Sequence, residues 1–141
     1  EHYNINFTLL APFDVYGHAY EIMFALSESD KWVPVYSDLI SIIFIKNTAE
    51  NQDIISRYKQ TKENVYNHVI YRAYLIVKTN LDNPKPLLNL GRTFYKMGKL
   101  KEAVTAYKYA LEVFPHNEFI KKRIAEIEAE LKKTDEKGIS H

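Results

Sequence analysis

Residues 84–117 read PKPLLNLGRTFYKMGKLKEAVTAYKYALEVFPHN, and the spacing of small, large and turn residues in this stretch decides the fold. Two runs of helical period flank Gly98, one through Leu87, Leu90 and Phe94, the other through Ala103, Tyr107, Ala110 and Leu111. The small residues Gly91, Ala103 and Ala110 fall where two antiparallel helices cross, because a larger side chain there would hold the axes apart. Leu90, Phe94, Tyr107 and Leu111 then fill the gap between the helices. Gly98 suits the left-handed residue that ends the first helix, and Pro115 the stop after the second.

Taken together, Leu87, Leu90, Gly91, Phe94, Gly98, Ala103, Tyr107, Ala110 and Pro115 occupy without a gap the places where one repeat family carries its large, small, aromatic and Pro residues. The segment resembles a tetratricopeptide repeat. That resemblance implies protein binding, since the first helix of each such repeat lines a concave groove. Carried onto this chain, the groove-facing places are Lys85, Leu88, Asn89, Arg92, Tyr95 and Lys96. Lys85, Arg92 and Lys96 would pair with carboxylates, Arg92 in a bidentate way, and Tyr95 offers a flat amphipathic contact. The partner expected is an acidic protein or one with a free C-terminus. A subgroup of these domains clamps a C-terminal carboxylate with Lys at the place Leu88 holds here and Asn or Arg at the place of Arg92, so the departure at Leu88 argues against chaperone-tail binding. The competing reading makes residues 85–96 a partly filled scaffold face. One repeat cannot bury its own apolar faces, so a neighbouring helix or a second copy of the chain must cover it.

The rest of the sequence bounds the class. The chain has 141 residues, 46% of them hydrophobic, enough for one domain or for two small units sharing a core. A net charge of +1, without a cluster of basic and exposed aromatic residues, argues against nucleic acid as a partner. Residues 1–80 hold 7 basic and 9 acidic side chains and residues 81–141 hold 12 and 9, so the basic half is the repeat half. Without cysteine there is no disulfide, thiolate metal site or cysteine nucleophile. The longest apolar run, Leu39 to Ile45, is far short of the ~20 residues that cross a bilayer. The chain begins at Glu1 with neither an initiator Met nor a targeting segment, which reads as an excised domain or a processed form of something longer. Its Ile, Lys, Asn and Tyr usage points to an AT-rich bacterial genome, and a cell-envelope or periplasmic setting is preferred over the cytoplasm.

Four segments are expected. In residues 1–47, Tyr3, Ile5, Phe7 and Leu9 alternate with polar neighbours, as do His18, Tyr20, Ile22, Phe24 and Leu26, and Trp32 to Ile45 is rich in β-branched and aromatic residues. These predict a short antiparallel sheet, with turns at Pro12 to Gly17 and Ser27 to Lys31 and with Pro34 on an edge or an irregular entry. Ala19, Ile22, Met23 and Leu26 also recur at helical spacing, so Tyr16 to Ser27 has a competing reading as a helix. Residues 48–83 predict one long helix or a degenerate hairpin, with the weak point at Gln60 to Asn64, where the apolar stripe lapses. Residues 84–117 are the repeat. Residues 118–141 predict a helix capped by Asn117, with Ile120, Ile124, Ile127 and Leu131 on one face, which would close the array, and a polar tail.

The fold class expected is therefore α+β: a short N-terminal antiparallel sheet, then a helical array containing one helix-turn-helix repeat and a C-terminal capping helix. The function expected is a non-catalytic interaction module, an adaptor or assembly factor, binding another protein or a second copy of itself. No cofactor and no metal is expected, because His2, His18, His68, His116 and His141 are scattered and no phosphate loop or nucleophile motif occurs. The rival from another class is a small-molecule-binding or enzymatic α+β domain with the repeat as an accessory. It would need a cavity of the usual ligand-site size, roughly 300 Å³ or more, with His18 and tyrosines converging on it.

Overall fold

The computed structural model describes residues 6–138, so the alternation at Tyr3 and Ile5 lies outside the described residues. The element order is β1 (Phe7–Leu10), α1 (Glu21–Ser27), β2 (Trp32–Ser37), β3 (Ile42–Lys46), a 3-10 turn (Ala49–Asn51), α2 (Gln52–Tyr58), α3 (Lys62–Thr79), α4 (Lys85–Lys96), α5 (Leu100–Val113) and α6 (Glu118–Gly138). This is the α+β class, with a small antiparallel sheet and a helical array. Two compact units are present, Glu1–Arg72 and Ala73–His141, and the boundary falls inside α3. No described helix is long and apolar enough to cross a membrane.

In the first unit the sheet has the order β1-β3-β2, every pair antiparallel. The central β3 is apolar on both faces: Ile42 and Phe44 are fully buried, while Ile45 joins Val33 and Ile55 of α2 in a separate small cluster. Pro34 lies on edge strand β2, next to a register irregularity between Pro34 and Tyr36, as a residue without an N–H requires. The segment Trp32 to Ile45 is thus two strands, joined by a turn at residues 38–41 that contains neither Gly nor Pro. Asp38 builds that turn with its side chain. Its Oδ1 accepts the N–H of Ile40 at 2.8 Å and of Ser41 at 2.7 Å, and its Oδ2 accepts the Tyr36 hydroxyl at 2.7 Å.

The alternation read from His18 to Leu26 as a strand is corrected by the structure, which places the seven-residue helix α1 at Glu21–Ser27. A period of two puts Ile22 and Phe24 on one face. Instead Met23, Phe24 and Leu26 are buried and Ile22 is 53% exposed, so the helical spacing of Ala19, Met23 and Leu26 prevails. Ser27 to Lys31 is accordingly the exit from a helix and not a hairpin loop. Pro12 to Gly17 is a turn, with Gly17 at φ 80° and Asp14 Oδ1 accepting the N–H groups of Tyr16 and His18. The stretch 48–80 resolves into α2 and α3. The backbone is extended at Lys59, the Gln60 N–H donates to the Pro34 carbonyl at 2.8 Å, and the Thr61 hydroxyl caps α3 by accepting the Asn64 N–H. Buried Ser37 donates to Gln60 and lies 2.9 Å from His68 Nδ1, which explains why the apolar stripe lapses there: these polar groups serve β2.

The Asp38 turn gives the first unit an acid limb. Hydrogen bonds from Tyr36 and then from the Ile40 and Ser41 N–H groups hold its carboxyl down at about 2. A folded-state value below the unfolded one means that the contribution is complete above the unfolded value of about 3.9 and is lost as pH falls through about 2. We expect the urea midpoint of the parent to fall between about pH 4 and pH 2, and Asp38→Asn to lose that part of the acid dependence while lowering stability at neutral pH.

In the second unit Pro84 and Pro86 open α4, where an N–H is not needed. Gly98 closes it at φ 73°, with the Lys99 N–H donating back to Phe94 O at 2.9 Å. Asn117 Oδ1 accepts the Ile120 N–H at 3.1 Å and starts α6. Ala103, Val104, Tyr107 and Ala110 of α5 and Ile120, Ile124 and Ile127 of α6 form one buried cluster, with Leu88, Phe94, Leu111 and Leu131 among the residues packed against it. α6 is therefore the cap expected of residues 118 onward. At Gly91 α4 lies tight against α5, since a Cβ built there would stand 2.9 Å from the Tyr107 ring.

Candidate functional site

Lys85, Leu88, Asn89, Arg92, Tyr95 and Lys96 lie along one side of α4. At about 100° per residue, Arg92 and Lys96 return to within roughly 20° of the direction of Lys85, so the three cations form a single stripe. No Asp or Glu occurs in α4 to offset them. The six residues differ in access. Asn89 is only 6% exposed; the others are half-buried. Leu88 and Tyr95 pack against the buried α5–α6 cluster. Lys85, Asn89, Arg92 and Lys96 each make interactions within the chain, so a ligand would add to or exchange with existing contacts.

Tyr95 is held from α6. The Arg123 guanidinium sits 4.9 Å from the centre of its ring, and its hydroxyl donates to Glu130 Oε2 at 3.3 Å. Arg123 donates to Glu126 at 2.7 Å and lies near the Tyr107 phenol. Burial pushes the Tyr107 phenol up, and the neighbouring Arg123 opposes that shift. Arg123 thus lies beside both the half-buried Tyr95 and the buried Tyr107. The sequence reading singled out neither Arg123 nor Glu130. Their signal is weak, because the contacts join positions 28 and 35 residues apart. Thr93 was also missed; it is fully buried, with its hydroxyl donating to Asn89 O at 2.7 Å.

A cleft of about 260 Å³ opens in the second unit, with Leu87, Leu90, Phe94 and Ala106 in its walls and Tyr74 and Tyr109 beside them. In the first unit, clefts of about 210 and 250 Å³ are lined by neither His18 nor any tyrosine. His18 itself is exposed. Among the described residues no three His, Asp or Glu side chains come together as a metal site would require.

Two antiparallel helices crossing at a glycine, followed by an amphipathic cap, define a helical-repeat unit. Residues 84–117 match the tetratricopeptide repeat family, and this segment is one such repeat within the 141-residue chain. No curated protein sequence matches the chain. Tetratricopeptide repeats are protein-interaction modules and are in general non-catalytic.

Proposed function

We propose that the protein is a non-catalytic adaptor or assembly factor of a bacterial cell envelope, and that α4 docks an acidic protein segment or a free C-terminus. The observation that carries this reading is the stripe of Lys85, Arg92 and Lys96 on a helix without a carboxylate. Leu88 and Tyr95 border the stripe with apolar and aromatic surface, and Asn89 lies beneath it. Such a ligand gains charge-assisted hydrogen bonds at the cations, and its apolar groups find Tyr95 already fixed by Arg123 and Glu130.

Because Leu88 and Tyr95 also support the fold, the test reverses the charges. The full chain and an Arg92→Glu, Lys96→Glu variant are used side by side to capture proteins from source-cell extract, with thermal melts to check that both are folded. We expect one or more partners to be retained by the parent and reduced at least about tenfold on the variant, the loss expected for two charge-assisted contacts. Equal recovery on both would remove α4 as the docking surface.

A further inference from the structure

The two edges of the sheet are finished differently. β2 carries Pro34 and a register irregularity, and the Pro34 carbonyl is taken by the Gln60 N–H. These are the features by which sheets discourage further pairing. β1 has none of them: its sequence is Phe-Thr-Leu-Leu, and the run from Asn6 to Ala11 contains no charge, Pro or Gly.

The phase of the ladder shows which groups β1 presents. The Lys46 N–H donates to the Asn6 carbonyl at 2.8 Å, and Phe7 stands opposite Ile45. Main-chain groups in an antiparallel pair alternate between facing the partner and facing away. Thr8 and Leu10 therefore turn their N–H and C=O toward β3, while Phe7 and Leu9 turn theirs to the open edge. The same two residues have side chains that are 67% and 62% exposed. Main-chain groups without a partner among the described residues and exposed apolar side chains thus coincide at Phe7 and Leu9.

An edge with this chemistry accepts an extended strand. We propose that the strand is β1 of a second copy, running antiparallel about a two-fold axis at Thr8. Phe7 of each copy then faces Leu9 of the other, which satisfies every outward N–H and C=O of both residues. The apolar pairs Phe7 and Leu9 form on the face that carries Ile43 and Ile45. The segment is its own complement, and with no charge from Asn6 to Ala11 the two copies meet without like-charge repulsion. Two four-residue strands cover less than the roughly 1,200 Å² of a stable interface, so the association is weak and depends on concentration.

The chain has no cysteine, so Thr8→Cys places a single thiol on the proposed axis. Directly opposed residues of that kind have Cα atoms about 4.5 Å apart, within disulfide reach. With the full chain under mild oxidation, we expect Thr8→Cys to form covalent dimer at least about tenfold faster than Ser56→Cys on exposed α2. Adding Leu9→Pro removes an outward N–H while leaving those of Thr8 and Leu10 on β3, and should slow the cross-link about tenfold. Phe7→Lys in the same background serves if the Pro variant loses its secondary structure. Equal oxidation of the two thiols, with sedimentation as a monomer at every concentration, would overturn the proposal. So would a chain that stays monomeric but loses a captured protein on Leu9→Pro, since the edge would then belong to a foreign strand.

Discussion

Gly91→Val should destabilise the second unit by about 3 kcal/mol or more in urea unfolding, and Gly91→Ala by about 1 kcal/mol. Two effects compete at this position. Replacing a mid-helix glycine gains up to about 1 kcal/mol of helix propensity for Ala and less for β-branched Val. Against this, a Cβ meets three ring atoms of Tyr107 at 2.9 Å, and overpacking of that kind costs about 1–3 kcal/mol. The ring has little room to yield, because Tyr107 is 3% exposed within the α5–α6 cluster. Combining Gly91→Ala with Tyr107→Leu should cost less than the sum of the two single changes, because the smaller side chain vacates the space the new methyl needs. Additive costs would mean that the helices do not meet at Gly91.

Ile127→Asp should be more damaging still, at about 4 kcal/mol or more. Ile127 is fully buried on the inner face of α6, among Tyr107, Ala110, Ile120 and Ile124. Removing a buried Ile costs about 2–5 kcal/mol, and the introduced carboxylate must also be desolvated, in a fold whose total stability is of the order of 5–15 kcal/mol. The cap should detach, exposing Ala103, Tyr107 and Ala110 and releasing Tyr95 from Arg123 and Glu130, which should also abolish partner capture. Lys108→Ala provides the contrast. Its 2.8 Å bridge to Glu128 joins half-exposed side chains, and its loss should change stability by less than about 1 kcal/mol. A cap variant as stable as the Lys108 variant would show that α6 does not close the array.

The segment 84–117 was legible because a close helix crossing leaves little choice: Gly91, Ala103 and Ala110 must be small, and Gly98 must accept a left-handed backbone. Pro34 marked an edge for the same kind of local reason. α1 was harder, since seven residues carry fewer than two full periods and Ile22 and Leu26 satisfy either spacing; only burial separates Ile22 from Met23. The turn at residues 38–41 escaped because it rests on the Asp38 side chain in place of the usual Gly or Pro. At the candidate site, helical geometry places Lys85, Arg92 and Lys96 on one stripe from sequence alone. The packing of Leu88 and Tyr95, the burial of Asn89 and the hold of Arg123 on Tyr95 depend on side chains brought together by the tertiary fold, which no local spacing encodes.

The most direct measurement of partner docking on α4 uses a photoreactive amino acid, placed at Lys96 on α4 and separately at exposed Glu112 on α5, with irradiation in cells making the full chain. Docking on α4 predicts a covalent adduct with a distinct protein from position 96 and none from position 112. Adducts of equal yield from both positions, or none from position 96, would contradict it.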